Sequence, residues 1–349
     1  MLEVTSNRLG QEPVSFGDEA GKLSLYDGLE TPFSEGVIRL TPEHVDQVTA
    51  FACAAATVYG DRNGNKELTL AQTAHGVPAL VTRVDCTIVD GDIKPYELED
   101  SPSGLGVTHR LFEAAGGDIT FRDSVLGHYQ KHNGGSPHVV VSHERNHGTD
   151  DKLFFGPEHY THNTGSIPEE GGVIVKGIPG IPSSLDGYRH LQERALAPML
   201  TEGDKSYLLR TDNARRILSE ADLYREPDGS LSSQVVKAAV CSMAMGVSVH
   251  LSPDDKRAHG KKGIVTATRL QADIDRYVAN GGAIVQPFLP AICIKNPENR
   301  GNAILRMFVL LERGEGNTIA GTTIGGCLVA RPENIVHGAA NSVAAAVMV

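Results

Sequence analysis

The segment PALVTRVDCTIVDGDIKPYELED, residues 78–100, consists of two β-rich runs on either side of the sequence VDGD. An Asp-Gly pair between two such runs favours the tight turn of a β-hairpin. The segment therefore predicts two antiparallel strands joined at Asp90 and Gly91.

Three carboxylates belong to this predicted hairpin. Asp85 lies on the first strand, Glu97 follows twelve residues later on the second, and Glu99 comes two residues after Glu97. Because side chains alternate across a strand, Glu97 and Glu99 share a face, and Asp85 joins them if it pairs nearby. Such a cluster repels itself unless cations neutralise it, and hard oxygen ligands favour Mg²⁺ over Zn²⁺. A solvated acidic face is the alternative interpretation.

The hairpin is flanked by a predicted helix and a predicted turn. In LTPEHVDQVTAFACAAATVYG (40–60), Thr41 suits the N-cap, Pro42 suits the first helical position, and Gly60 is expected to end the helix. After the hairpin, SPSGLG (101–106) predicts a tight turn, which either brings backbone N–H groups close to a ligand or merely reverses the chain.

The whole chain divides into three stretches of different character, residues 1–125, 126–205 and 206–349. The first holds the helix and the hairpin, and the second holds short apolar strands followed by polar loops, as in open α/β sheets. The third predicts a mixed run of strands and helices. We therefore expect a mixed α/β (α+β) fold with an antiparallel share. The elements predicted beyond the hairpin are strands at 138–143, 172–177, 233–240, 283–289, 303–313 and 321–331, and helices at 211–224 and 268–282.

Composition excludes several classes of protein. With 349 residues, a net charge of −11 and a sequence pI of about 5.7, the chain lacks the clustered basic residues that bind nucleic acid. Its five widely spaced cysteines build neither a disulfide framework nor a C-x-x-C metal site, so free thiols in a reducing compartment are expected.

No apolar run reaches the roughly 18 residues that a membrane-spanning helix needs. The first residues, MLEVTSNRLGQEP, also lack the basic start and apolar core of a signal peptide. The expected location is the cytoplasm, with no membrane partner.

Three basic residues in the last stretch lie in apolar surroundings. Lys237 interrupts a Val- and Ala-rich strand, Arg306 lies within AILRMFVLL, and Arg331 ends a strand after GGCLVA. A buried cation needs an anionic partner to offset its desolvation, and a structural ion pair is one solution for each. The three together, beside a carboxylate cluster, indicate a polyanion with bound Mg²⁺, that is, a nucleoside triphosphate.

The order of these motifs resembles the ATP-grasp ligases. QVVKAAVCSMAMGVSVHL (234–251), IVQPFLP (284–290), LRMFVLL (305–311) and GGCLVARPENIVHGAANS (325–342) look like that family's lysine strand with its lid, hinge strand, arginine strand and Gly-Gly-to-Arg segment. VDCTIVDGDIKPYELEDSPSGLG (84–106) looks like its closing metal hairpin, with an acidic residue followed twelve positions later by Glu-x-Asn. Because the hairpin here precedes the lysine strand, the chain resembles the circularly permuted branch, as in glutathionylspermidine synthetases.

The resemblance implies a fold and a reaction. It implies a permuted ATP-grasp fold with a small open α/β substrate lobe, acting as an ATP- and Mg²⁺-dependent carboxylate–amine ligase that releases ADP and phosphate through an acylphosphate. The residues that it assigns are Lys237 for the ATP phosphates; Gln286, Pro287 and Phe288 for the adenine; Arg306 and Arg331 for phosphates or the reacting carboxylate; and Asp85, Glu97 and Glu99 for Mg²⁺.

This sequence departs from the family pattern at three points. Glu99 stands where the family has Asn, and the lid AVCSMAMG contains little glycine. The family's earlier lysine, expected near 211–218, has no counterpart, and Arg215 or Arg216 would have to replace it. A non-catalytic ATP-binding module and an ATP-grasp kinase therefore stay open as alternatives. The sequence identifies neither the small-molecule acid nor the amine, and it leaves the oligomeric state open, a homodimer included.

The sequence HERNH, residues 143–147, matches the H-E-x-x-H pattern of zinc proteases. That pattern works when its two histidines lie one turn apart on a continuous helix, whereas here a valine run precedes His143 and Gly148 follows His147 at once. A zinc hydrolase is therefore the remote alternative.

In the predicted lobe, polar loops follow the carboxyl ends of the strands at 138–143 and 172–177. These loops are either substrate contacts or ordinary solvated loops. The candidate residues for substrate contact are Ser142, His143, Glu144, Arg145 and Lys176.

Overall fold

A computed structural model describes the chain in segments. The described residues are 2–3, 14–15, 19–26, 29–34, 37–62, 81–99, 103–116, 120–133, 138–141, 149–156, 159–162, 173–176, 215–217, 219–238, 247–252, 267–279, 283–289, 291–295, 300–313, 319–331 and 342–349.

Helices and strands both contribute to the described segments. The helices are α1 (Pro42–Arg62), α2 (Leu105–Ala114), α3 (Thr120–Asn133), α4 (Thr149–Phe155) and α5 (Ala267–Ala279). The strands are β1 (Leu2–Glu3), β2 (Val14–Ser15), β3 (Glu19–Tyr26), β4 (Leu29–Ser34), β5 (Ile38–Arg39), β6 (Val81–Val89), β7 (Asp92–Glu99), β8 (His138–Val141), β9 (Tyr160–His162), β10 (Val173–Lys176), β11 (Arg215–Ile217), β12 (Gln234–Ala238), β13 (Val247–His250), β14 (Ala283–Pro287), β15 (Ile292–Lys295), β16 (Arg300–Arg313), β17 (Ile319–Arg331) and β18 (Val343–Met348).

The described strands form one large sheet and two smaller ones. The large sheet runs in the order β1-β5-β18-β17-β16-β15-β2, with β6 and then β7 attached to β16 and the pair β3-β4 attached to β18. Antiparallel pairs at its centre join β7, β6, β16, β17 and β18. Helices combined with largely antiparallel sheets confirm the predicted mixed α/β class.

Helices cover both faces of the large sheet. On one face, α1 packs over a core that includes Val84, Cys86, Leu305 and Met307. On the other face, residues from α2, α3 and α4 pack around Phe308. Side chains of β6 and β16 alternate between these two cores as the pleat requires. Asp85 lies between Val84 and Cys86, and Arg306 lies between Leu305 and Met307. Both therefore point to the face that α2, α3 and α4 cover.

The two smaller sheets differ in strand direction. A four-stranded antiparallel sheet has the order β11-β14-β12-β13, and α5 packs on it through Leu270 and Ile274. A three-stranded parallel sheet has the order β10-β8-β9.

Local sequence signals predicted the hairpin and the helix before it correctly. Asp90 and Gly91 have φ of 53° and 87°, which an Asp-Gly turn of type I′ requires. The Thr41 hydroxyl accepts the N–H of His44 at 3.3 Å, as expected of an N-cap. The expected end at Gly60 is wrong, because the helix continues to Arg62. A glycine within a helix weakens it without forcing it to end.

The predicted helix at 211–224 is wrong. Residues 215–217 form β11, which pairs with β14, and a short 3₁₀ helix occupies Glu220–Asp222. Pairing with the neighbouring strand outweighs helix propensity here, because it also places Ile217 at 0% exposure in the core beneath α5.

Two predictions about the chain as a whole bear on the described residues. Among the described residues, Cys53, Cys86 and Cys327 belong to no disulfide bond, as expected. No described helix combines the length and the apolar character that crossing a membrane takes.

Candidate functional site on the large sheet

A row of charged side chains crosses one face of the large sheet. Asp85 on β6 pairs in register with Arg306 on β16, and Glu97 on β7 pairs in register with Asp85 from the other side. Arg306 in turn pairs with Cys327 on β17, and Arg331 ends β17 four residues later on the same face. The register thus places residues side by side that are more than two hundred positions apart in the sequence.

Asp85 is held by an arginine that the sequence interpretation missed. The Nε of Arg83 donates to Oδ1 of Asp85 at 2.6 Å, and its Nη2 donates to Oδ2 at 2.9 Å. The two side chains are 2% and 5% exposed, so this is a buried, bidentate ion pair. The signal was present in the sequence, because Arg83 lies two residues before Asp85 on the same face of β6.

Glu99 contacts the same arginine. Nη2 of Arg83 lies 2.6 Å from Oε1 of Glu99, and the Ser103 N–H donates to Oε2 at 3.3 Å. Nη1 of Arg83 also donates to the carbonyl and to the hydroxyl of Ser103, at 2.6 and 3.0 Å. Arg83 therefore joins the two strands of the hairpin to the chain that leaves it. Glu97 is described by its backbone register only.

Arg306 approaches Asp85 from the neighbouring strand. Its Nε lies 3.6 Å from Oδ2 of Asp85, which is an ion-pair distance but too long for a hydrogen bond. Within the described residues this buried Nε has no hydrogen-bond partner. The side chain as a whole is 13% exposed, although this Nε atom is buried. A buried donor without a partner needs an acceptor, which an ordered water or a ligand oxygen could supply.

Cys327 lies opposite this arginine in the register, and Arg331 lies four residues further along β17, opposite Asn302. Burial raises the pKa of the Cys327 thiol, and the positive charge of Arg306 lowers it to a smaller extent. The buried surroundings of Cys327 therefore favour the thiol over the thiolate. Arg331 is 8% exposed at the end of β17.

The turn after the hairpin, for which a ligand contact and a simple chain reversal were the two alternatives, leads into α2 and its cap. Gly104, with φ of 93°, caps α2, and its N–H donates to Oδ2 of Asp150 at 2.7 Å. The Val107 N–H donates to Oδ1 of the same carboxylate at 2.9 Å. The anion at this helix N-terminus is thus a side chain of α4, and these two N–H groups are not available to a ligand.

The predicted adenine and phosphate residues lie on the four-stranded sheet. Lys237 on β12 is 8% exposed, and its register partners are Val247 on β13 and Ile284 on β14. Gln286 and Pro287 end β14 and are half-buried, and the Phe288 N–H donates to the Ser233 carbonyl at 3.0 Å. The Phe288 N–H group is therefore already hydrogen-bonded and is not available to an adenine ring.

The predicted substrate residues are mostly outside the described residues. Ser142, His143, Glu144 and Arg145 fall there, and so does HERNH as a whole. Lys176 ends β10, which lies beside β8 in the parallel sheet. The structure thus brings together Asp85, Glu99 and Arg306 on the large sheet, with Glu97 opposite Asp85 in the backbone register and Arg331 further along the same face of β17. Lys237, Gln286 and Pro287 lie on the four-stranded sheet.

Comparison with known proteins adds no further assignment to this geometry. No protein-family model matches the chain, and a search of curated proteins gave no match.

Proposed function

We propose that this protein is an ATP- and Mg²⁺-dependent carboxylate–amine ligase with a circularly permuted ATP-grasp fold. In this proposal the chain works in the cytoplasm, binds a small-molecule acid and a small-molecule amine, and releases ADP and phosphate. Residues 126–205 contain the substrate lobe, with Ser142, His143, Glu144 and Lys176 as candidate contacts.

The observation that carries the proposal is the register of three neighbouring strands. Arg306 lies opposite Asp85, and Asp85 lies opposite Glu97. The arginine strand and the carboxylate hairpin are more than two hundred residues apart in the sequence. An ordinary acidic surface hairpin would not need a buried arginine from so distant a strand.

The charges of this face suit a magnesium-bound phosphate chain. Asp85, Glu97 and Glu99 are oxygen donors of the type that Mg²⁺ prefers, and Arg83 and Arg306 leave the group with one net negative charge. Glu99 is 23% exposed on its side chain, so a cation can reach it from solvent. The residues present therefore fit Mg²⁺, although Arg83 already engages both oxygens of Asp85.

The lysine and hinge strands support the nucleotide part of the proposal. Lys237 lies on the central strand β12, between β13 and the predicted hinge strand β14. An ammonium at 8% exposure interacts strongly with a phosphate, because little water screens it. Gln286, Pro287 and Phe288 then border the adenine by side chain and carbonyl, since the Phe288 N–H is already bonded.

The chemistry follows from these positions. A carboxylate reacts poorly with an amine because its oxide is a poor leaving group, and phosphoryl transfer from ATP converts it into an acylphosphate. Lys237, Arg306 and Arg331 would hold the charged oxygens of the phosphates and the carboxylate, which lowers the barrier by preorganised electrostatics. Bound Mg²⁺ would supply further neutralisation of the transferring phosphoryl group.

One observation favours a second candidate, a non-catalytic ATP-binding module. The bidentate contact from Arg83 reduces the capacity of Asp85 to bind a metal, because both of its oxygens already accept hydrogen bonds. Such a module would bind nucleotide without turnover. A kinase on the same fold would turn over without an amine.

A screen of ADP release over amino acids, other small carboxylates and polyamines tests the proposal. We expect turnover that requires ATP, Mg²⁺, one acid and one amine, and we expect Lys237→Ala and Glu97→Ala to abolish it. The matched controls are Lys131→Ala and Glu113→Ala, both of which replace exposed charged residues and should leave turnover unchanged.

Three outcomes count against the ligase. Full activity in both Lys237→Ala and Glu97→Ala rejects the site. Release of ADP without any amine identifies a kinase, and nucleotide binding with no turnover for any acid and amine identifies the non-catalytic module.

A further inference from the structure

A second group of metal-binding side chains lies where α3 meets the far end of β16. His128 and His132 are one helical turn apart, so both project from the same side of α3. Their ring centroids are 4.6 Å apart. Glu312 near the end of β16 completes the group, and one ligand atom from each residue lies within 4.8 Å of the other two.

One ring nitrogen of His128 is bonded to a backbone carbonyl, as in many metal-binding histidines. Its Nε2 lies 2.8 Å from the Leu311 carbonyl oxygen. Because a carbonyl can only accept, we assign the ring proton to Nε2, which leaves a lone pair on Nδ1. A second ring nitrogen bonded to a backbone carbonyl fixes both tautomer and ring direction in metal sites.

The spacing of His132 and Glu312 also suits a common metal. Nε2 of His132 lies 3.6 Å from Oε2 of Glu312, which is too long for a hydrogen bond. Two ligand atoms that each lie about 2.1 Å from a tetrahedral metal are roughly 3.4 Å apart. The side chains of His132 and Glu312 are 23% and 40% exposed, so they have room to close the remaining gap.

The ammonium group of Lys131 already contacts one of the three ligand residues. Nζ of Lys131 lies 2.8 Å from the same Oε2 of Glu312. Lys131 is 65% exposed on its side chain, so it holds this contact weakly and can leave without exposing any core. A divalent metal would therefore compete with Lys131 for Glu312.

We propose that His128, His132 and Glu312 bind a divalent transition metal of the Zn²⁺ class and thereby fasten α3 to the end of β16. Two imidazole nitrogens and one carboxylate oxygen favour Zn²⁺ over Mg²⁺, which prefers oxygen ligands alone. The site uses none of the residues assigned to ATP, so it does not depend on the proposed ligase function.

Zinc chloride titration of the metal-stripped full-length protein, in competition with a chromogenic chelator, tests this site. We expect one equivalent of zinc to bind and to raise the Tm. In His132→Ala and in Glu312→Gln that binding should weaken at least tenfold, and millimolar MgCl₂ should not compete with it. In Lys131→Ala it should tighten severalfold, because the competing ammonium is gone.

A control separates this site from adventitious zinc binding elsewhere on a chain with 14 histidines. His159→Ala removes a histidine outside the group and should bind zinc as the wild type does. His132 and Glu312 are solvent-accessible, so the metal-free Tm of their variants should stay near that of the wild type. Zinc affinity unchanged in both His132→Ala and Glu312→Gln, or unchanged in Lys131→Ala, overturns the proposal.

Discussion

The guanidinium of Arg83 donates hydrogen bonds to both carboxylate oxygens of Asp85 within the large sheet, at 2.6 and 2.9 Å. Both side chains are nearly inaccessible to solvent, and Nη2 of the same arginine extends to Glu99. Removing one partner of a buried pair leaves a charge without compensation, which costs much more than removing both.

Arg83→Met should therefore lower the free energy of unfolding by about 3–5 kcal/mol, measured by urea denaturation. The double variant Arg83→Met with Asp85→Leu should recover part of that loss, because it removes the stranded carboxylate as well. A double variant that is less stable than Arg83→Met would contradict this account of the pair. Arg225→Met is the control, since that exposed arginine contacts only surface groups.

Asp150 on α4 caps the N-terminus of α2, although the two lie more than forty residues apart in the sequence. Its carboxylate accepts the N–H groups of Gly104 and Val107 at 2.7 and 2.9 Å. Asp150→Ala leaves those donors unsatisfied and should lower the stability by about 1–2 kcal/mol. Asp46→Ala, at an exposed position of α1, should change it by less than about 0.5 kcal/mol. Equal effects of the two substitutions on the thermal midpoint would show that the cap is not formed.

Two glycines should respond to alanine in opposite directions. Gly325 on β17 has φ of 109°, and a Cβ there would lie 2.8 Å from the Phe112 ring and 2.9 Å from the Val347 carbonyl. Gly325→Ala should therefore cost more than about 2 kcal/mol. Gly127 on α3 has nothing within 4 Å of such a Cβ, so Gly127→Ala should add about 0.5–1 kcal/mol. Parallel denaturant titrations decide the sign of each change.

Acid should destabilise the protein through His109 on α2. Burial lowers the pKa of this ring; Glu113 and Asp123 raise it to a smaller extent, and Arg122 and Arg110 lower it further. A lowered folded-state pKa means that the unfolded chain takes up the proton first. Stability contributed by the neutral ring is therefore complete above the unfolded value of about 6.5 and is lost as the pH falls through it.

His109→Gln tests this dependence. The thermal midpoint of the variant should fall less steeply between pH 7.5 and 5.5 than that of the wild type. An identical slope in the two proteins would remove His109 from the account of acid sensitivity.

Sequence signals predicted the elements that local chemistry determines. The Asp-Gly turn and the Thr41 cap depend on residues within a few positions of one another, and the structure contains both. These predictions depend on no contact between distant segments.

Apart from the helix end expected at Gly60, the features that the sequence did not predict involve partners that are distant in the sequence. Residues 215–217 become a strand because β14, nearly seventy residues later, pairs with them. The backbone N–H groups of Gly104 and Val107 donate to the carboxylate of Asp150, which no pattern within SPSGLG predicts. The spacing of His128 and His132 was visible as H-x-x-x-H, but only the fold places Glu312 beside them.

The most direct test of the nucleotide site on which the ligase assignment depends is equilibrium binding of MgATP, measured by isothermal titration calorimetry without any acid or amine. The account predicts saturable binding to the wild type, at least tenfold weaker binding to Lys237→Ala, and unchanged binding to Lys131→Ala. No binding to the wild type at millimolar MgATP, or equal affinity in Lys237→Ala, would contradict it.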